Sequence, residues 1–424
     1  MKRYEALEFL NKDFTHSIKD PLWQNVPMTK EIKNLVSTRD LQKLARIKQN
    51  GPSYHIYPGA VHTRLNHSIG VYYLGRKILI ALATRSEELP FTKEGMMSFL
   101  IACLLHDIGH FPYAHSLKEL AIREHEEIAA WMIAQEGELK DAIIKTGAKP
   151  ETVAAIIDKD MLTSDDETLI YRGILSGTLD PDKLDYLSRD GFFAGVPYGK
   201  QDTDYIISSL IFADGEICLD SEAISSVEQV LFSKYMMYKS LYWHKGVRGA
   251  TAMIKKALIL AIEENVIKYD DLYFLDDNEF TTLCKQRRDM CNALELVDRV
   301  EHNDLLERLV ERDYNDMGRI EREGRKPVER RKFEITIWKE LRNIYPELQE
   351  YEVILDIPEP INFETHIKVI SQDGAISLID DERLIFSTGV SKAFQENLRK
   401  VSLYLPSYIK QKDAERAFEV IANA

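Results

Sequence analysis

The stretch from Cys103 to Leu117, CLLHDIGHFPYAHSL, sets three histidines and an aspartate in a run that is otherwise apolar. Burying such groups without partners costs roughly 2–7 kcal/mol per polar group. A chain that carries them must fold so that they meet solvent, one another or a metal ion. The chain holds 11 histidines, and seven of them fall between His55 and His125. A lone histidine on an apolar helix is most often a satisfied core residue, and a lone His-Asp pair is common. Spacing therefore carries the argument.

In HTRLNHSIG, Arg64 and His67 lie three apart at what reads as the start of a helix. In LLHDIGHFPYAH, His106 and Asp107 are adjacent and His110 follows His106 by four, which on a helix puts both on one face. Gly109 and Pro112 then break that helix, so His115 arrives from another backbone direction. REHEE carries His125 with Glu126 beside it. In GTLDPDKLDYLSRD, Asp180 and Pro181 read as an N-cap and a first-turn proline, which sets Asp182 in the first turn of a helix. Two imidazoles with two carboxylates suit one divalent ion: manganese, iron, nickel, cobalt or zinc, with magnesium held less tightly. An octahedral ion with four protein ligands keeps two positions for water and substrate, and it lowers the pKa of water enough for attack at neutral pH.

Bulk properties narrow the function classes. The 424 residues, 45% hydrophobic and 29% charged, give the composition of an ordinary globular chain of about two to three domains. A formal net charge of −14 argues against a protein that coats nucleic acid, which needs a cationic footprint. It leaves room for an anionic small molecule, because a metal and a few lysines in a cleft reverse the local field. No apolar run approaches the roughly 18–20 residues that span a bilayer, and the N-terminus lacks an apolar signal core, so no membrane partner is expected. Cys103, Cys218, Cys284 and Cys291 form no CxxC pair. Reduced thiols and a cytoplasmic location are expected.

The pattern predicts a mainly α fold. Apolar positions recur at three and four across Ile69–Leu82, Met96–Leu105, His125–Ile133 and Val153–Ile157. A longer helix is expected over Ser221–Asn265, loosened at KGVRG. DYIISSLIFADGEICLD reads as a two-stranded flap turning at Asp214–Gly215. The expected organisation is a helical catalytic core over 1–310 with its motifs in 37–265, a charged helical connector over 311–344, and a small α+β domain over 345–424. On the long helix, Lys234, Tyr238, Tyr242 and Lys245 fall at i, i+4, i+8 and i+11, one basic and aromatic face suited to a nucleotide. The plainer alternative is a solvated lysine face with tyrosines packed on a neighbour. Asp182, Tyr186 and Asp190 share a face of another helix, on which Arg189 and Asp185 read as a structural ion pair.

The order His67, His106-Asp107, Asp182 resembles the HD-domain metal-dependent phosphohydrolases. YPGAVHTRLNHSIG, LLHDIGHFPYAHSL, HEEIAAWMI and DPDKLDYLSRDGFFAGV resemble the deoxynucleoside triphosphate triphosphohydrolase branch of that family, over about residues 30–265. The resemblance implies attack of water on the α-phosphorus of a dNTP, releasing deoxynucleoside and triphosphate. It implies one divalent metal on His67, His106, Asp107 and Asp182. It implies that His110, His115 and His125 line the α-phosphate, that His115 or His125 protonates the leaving 5′-oxygen, and that Glu126 fixes the tautomer of His125. Arg64, Lys183, Lys234 and Lys245 match phosphate contacts, with Tyr242 on the same face. Gln49 and Asp190 match contacts to the 3′-hydroxyl, and Tyr186 packs under the deoxyribose. A homo-oligomer, dimer or tetramer, is the family expectation.

Four positions depart from the family pattern. Ser37 and Ala45 stand where a mammalian member uses Asp and Arg to hold a guanine effector, so activation of that type is not expected. Asn50 replaces an apolar residue at the sugar 2′-position, which weakens the expected discrimination against ribonucleotides. Lys118 stands where an acid supports the histidine matching His115. Two other functions fit the metal motif: an HD phosphohydrolase acting on nucleoside monophosphates or cyclic nucleotides, and a nucleotide sensor with little turnover.

Overall fold

Thr63 opens the helix on which the site depends. Its hydroxyl accepts from the Asn66 backbone N–H while the Asn66 side chain accepts from the Thr63 N–H, and the helix Arg64–Arg85 follows. The structure, a computed structural model, describes residues 1–114, 123–359, 361, 367–371, 376–378 and 388–422. It is mainly α, as expected, with three small sheets among the described residues. No helix among them is long and apolar enough to cross a membrane.

Arg64–Arg85 packs on Lys93–Leu105, whose residues from Gly95 to Leu105 are all buried, and on Pro181–Ala194. The last contact is very close at Gly70. A Cβ there would lie 1.9 Å from Asp185 Oδ1, so only glycine lets the two helices approach with a carboxylate between them. Pro181–Ala194 begins as the sequence predicts, with the Asp180 side chain accepting from the Lys183 N–H and proline in the first turn.

Four expectations need correction. Lys93–Leu105 ends one residue before His106, so His106 and His110 are not joined by a helical i, i+4 step. They lie in a turn whose Gly109 meets the start of the next helix, where a Cβ would fall 2.1 Å from the His125 carbonyl oxygen. The long helix over 221–265 is two: Ile224–Met237 runs into a π-helical turn at Tyr238–Tyr242, and Lys245–Glu263 starts afresh with His244 as its cap. The π turn widens the helix by one residue per turn and rotates every later side chain, so the predicted Lys234-to-Lys245 face does not form.

The hairpin does turn at Asp214–Gly215, both with positive φ, joining Leu210–Ala213 to Glu216–Asp220. It is no isolated flap. Glu216–Asp220 also pairs in parallel with Lys368–Ile370, which pairs with Ile376–Leu378. Residues 311–344, dense in charge, are no solvated connector. Part of the strand Glu307–Asp313 and the helix Pro327–Arg342 enter a second core, where Phe333, Ile337 and Leu341 pack with Phe418, Leu403 and Leu355. Most of that helix's charges face outward, while Arg330 and Glu334 are buried with the apolar stripe, and this dense charge hid the stripe. Ile337→Ala is therefore expected to lower stability by about 2–5 kcal/mol, measured by chemical denaturation. An unchanged midpoint would mean the segment is solvated after all.

Candidate active site

Three elements converge. Arg64–Arg85 supplies Arg64 and His67, the turn after Lys93–Leu105 supplies His106 and Asp107, and the first turn of Pro181–Ala194 supplies Asp182. Ligand atoms of His67, His106 and Asp107 all lie within 4.8 Å of one another. His67 Nε2 is 2.9 Å from Asp182 Oδ1 and 4.0 Å from Asp107 Oδ2. His106 Nε2 is 3.5 Å from Asp107 Oδ1 and 3.8 Å from Asp182 Oδ1.

The far side of each imidazole is also held. His67 Nδ1 is 2.8 Å from Asp185 Oδ2, and His106 Nδ1 is 2.9 Å from the Cys103 carbonyl oxygen. With both Nδ1 atoms donating, both Nε2 lone pairs are left for one ion, the arrangement of metal-bound histidines generally. His106 Nε2 is buried with no hydrogen-bond partner among the described residues. The donor set and this orphaned nitrogen fit a divalent first-row ion. Asp107, His110 and His125 form a second possible group that shares Asp107.

The electrostatics are those of a site built around positive charge. Burial opposes a charge on His67, yet hydrogen bonds to Asp182 and Asp185 push its pKa up to about 10. Burial raises Asp107, but His110, His106 and Arg64 outweigh it and hold the carboxyl well below its usual range. Burial, with Arg64 and His125 nearby, pushes the pKa of His110 well below its ordinary value.

A cavity of about 710 Å³ opens on these groups. This volume is in the range of small-molecule sites. Its walls include Gln49, Arg64, His67, His106, Asp107, His125, Glu126, Asp182, Lys183, Tyr186, Asp190 and Tyr242. Three expected residues are elsewhere. His110 is fully buried behind the wall, its ring stacked on His125 with centroids 3.9 Å apart. Lys234 is buried on the helix before the π turn and Lys245 is exposed after it, and neither lines the cavity. His115, with Lys118, lies outside the described residues.

Other details are specific. His125 Nδ1 is 3.0 Å from Glu126 Oε2. Arg64 donates to Asp107 Oδ2 at 2.6 Å, and Lys183 to Asp180 Oδ2 at 2.6 Å. Asp190 takes a hydrogen bond from the Tyr242 hydroxyl and sits 2.8 Å from His62 Nε2. Gln49 Oε1 and Asn50 Nδ2, neighbours in the wall, are buried without hydrogen-bond partners among the described residues.

Sequence reasoning missed several wall residues. Trp243, Arg248 and Lys255 line the cavity, as do Lys48 and Asp277, an ion pair at 3.3 Å, whereas Tyr238, also in the wall, was named on the predicted nucleotide face. Arg248 and Lys255 are seven apart on one helix, a spacing that shares a face and was visible. Asp185 does pair with Arg189, at 2.8 Å, but it also holds His67. Its position three residues after Asp182 on the same helix was the available signal.

Because His67 is protonated up to about pH 10 without metal, an ion must displace that proton. Calorimetry at pH 7 in buffers of different ionisation enthalpy is expected to show about one proton released per ion. Affinity then rises by up to about tenfold per pH unit until pH nears 10. Binding without proton release would contradict the state assigned to His67.

Known proteins resemble this chain over most of its length. Residues 64–190 match the HD domain, a span that includes all four candidate ligands, and residues 201–422 match the HD associated region. An uncharacterized protein of Methanocaldococcus jannaschii is 26% identical over 397 residues, which cover 92% of this chain and 79% of that protein. Human deoxynucleoside triphosphate triphosphohydrolase SAMHD1 is 24% identical over 467 aligned positions, covering 98% of this chain and 72% of that enzyme. The chain spans only 54–55% of the length of several other curated relatives, from Bacillus subtilis and two mycoplasmas. The crystal structure of a phosphohydrolase from Bacteroides thetaiotaomicron shares the fold, with a TM-score of 0.71 at 23% identity over 92% of this chain and 99% of that one. The chain belongs to the HD-domain phosphohydrolases that carry an HD associated region.

Proposed function

We propose that the protein hydrolyses deoxynucleoside triphosphates to deoxynucleoside and triphosphate. The observation that carries this is one cavity in which the His67, His106, Asp107 and Asp182 cluster faces both a His125–Glu126 pair and a set of cations and tyrosines. The similarity to a human enzyme named for that reaction supports it. A divalent ion at the cluster supplies Lewis acidity to a phosphoryl oxygen and to water.

The chain's own residues do the rest. Arg64, Lys48, Lys183, Arg248 and Lys255 surround the anionic part of the substrate. Of these, Arg64, Lys48, Lys183 and Arg248 each hold a carboxylate, from Asp107, Asp277, Asp180 and Asp356, which fixes where each cation sits in the wall. Tyr186, Tyr238 and Tyr242 give the sugar and base an aromatic wall, with Tyr186 and Tyr242 ring centroids 6.4 Å apart. Gln49 and Asn50 offer an unpaired acceptor and donor to sugar hydroxyls. As the oxygen of water bonds to the α-phosphorus, the bond from phosphorus to the 5′-oxygen breaks and that oxygen needs a proton. Glu126 fixes Nδ1 of His125 as its donor, so Nε2 serves the leaving oxygen.

The test is one incubation series. Metal-stripped protein receives Mn, Fe, Co, Ni, Mg or Zn with each dNTP and NTP, and products are separated by ion exchange. Intact triphosphate is expected, and His106→Ala or Asp182→Ala should lower kcat/KM by at least about 10²–10³-fold, the scale of losing one electrostatic stabiliser of a transition state. Orthophosphate or a ring-opened monophosphate as product would contradict the proposal.

A further inference from the structure

The chain's N-terminal hairpin reaches the candidate metal cluster through one buried carboxylate. His16–Asp20 pairs with Gln24–Met28, closing on Asp20 opposite Gln24. Asp20 Oδ1 accepts from the backbone N–H groups of Leu22 and Trp23 at 2.9 and 2.8 Å, which fixes the turn. Its other oxygen accepts from Arg189 Nη1 at 2.8 Å. Trp23 Nε1 donates to Asp185 Oδ1 at 2.5 Å. Asp185 lies 162 residues away in sequence and is wholly buried.

Asp185 is saturated. Oδ2 meets His67 Nδ1 at 2.8 Å and Arg189 Nε at 2.8 Å, and Oδ1 meets Trp23 Nε1 and Arg189 Nη2 at 3.0 Å. A carboxylate offers about four lone-pair sites, so each has its donor. Three donors besides His67 thus fix where the carboxylate points, and the carboxylate fixes the ring plane and tautomer of His67. Gly70 makes room for Asp185, and Asp20 steadies Arg189 from the hairpin side.

We propose that Trp23 and Asp20 are positioning residues of the metal centre, acting on His67 through Asp185 and Arg189, so that the hairpin over 16–28 sets metal affinity. A hairpin that merely braces the fold would contribute to stability and leave the ion indifferent to it. Partners that orient a metal-bound histidine typically change metal affinity by about 10–100-fold when lost. The inference rests on the metal reading of the site and is independent of the substrate.

The experiment uses the full chain, stripped of metal and titrated with Mn²⁺, with free Mn²⁺ read by electron paramagnetic resonance and folding checked by circular dichroism. Asp185→Asn is expected to weaken Mn²⁺ binding by about 10–100-fold. Trp23→Phe keeps the ring and loses the N–H, and should weaken it by about 3–10-fold, the scale of one hydrogen bond. Asp20→Asn should fall in the same range. If Asp185→Asn does not fold, Trp23→Phe decides, since its side chain is only partly buried. Folded Trp23→Phe and Asp20→Asn with wild-type affinity would overturn the role of the hairpin. Wild-type protein that takes up no ion would overturn the metal reading itself, and this inference with it.

Discussion

A fully buried imidazole between two carboxylates is the constraint from which the rest follows. His67 touches Asp182 on one side and Asp185 on the other, and all three come from two helices that only Gly70 allows so close. Leaving such groups uncompensated in an apolar core would cost several kcal/mol each. The fold compensates them in two ways. Arg189 and Trp23 satisfy Asp185, and a shared cation satisfies the inward face, where a proton on His67 stands in when metal is absent. A buried group that prefers a positive charge at pH 7 is a site that attracts a divalent ion.

The same logic extends into the cavity. In an acidic chain of net charge −14, an anionic ligand needs a local reversal of field. The wall's lysines and arginines are mostly paired to carboxylates one by one and are outnumbered by its acids, so a divalent ion at the four-residue cluster would supply that reversal. Arg248 with Asp356 is the most telling pair, because it ties the helix Lys245–Glu263 to the strand Ile354–Asp356 of the C-terminal sheet. Lys256 with Glu334 adds a second, buried tie. The C-terminal part of the chain thus helps to build the cavity, with Asp356 and Ile361 in its wall.

Local patterns in the sequence carried much of this. Helical periodicity located the main helices of the core, the Asp-Gly pair located the hairpin, and the spacing of His67, His106, Asp107 and Asp182 located a cluster that does converge. What escaped was decided by contacts distant in sequence. Nothing near Trp23 or Asp20 announces an interaction with Asp185, 162 residues from Trp23. The π turn at Tyr238–Tyr242 contains neither glycine nor proline, so no breaker marks it. Periodicity alone therefore joined Lys234 to Lys245 across a break. The apolar stripe of Pro327–Arg342 was masked by its charges, since a helix that buries only Phe333, Ile337, Leu341 and a few neighbours can still be mostly polar.

The central claim is that four side chains from three segments hold one divalent ion. Crystals grown with Mn²⁺ and measured at the manganese absorption edge test it most directly. The account predicts one strong anomalous peak about 2.0–2.2 Å from His67 Nε2, His106 Nε2 and a carboxylate oxygen each of Asp107 and Asp182, the distances usual for small divalent ions. No peak among those four side chains, or a peak only at Glu124, His125 and Glu126, would contradict it.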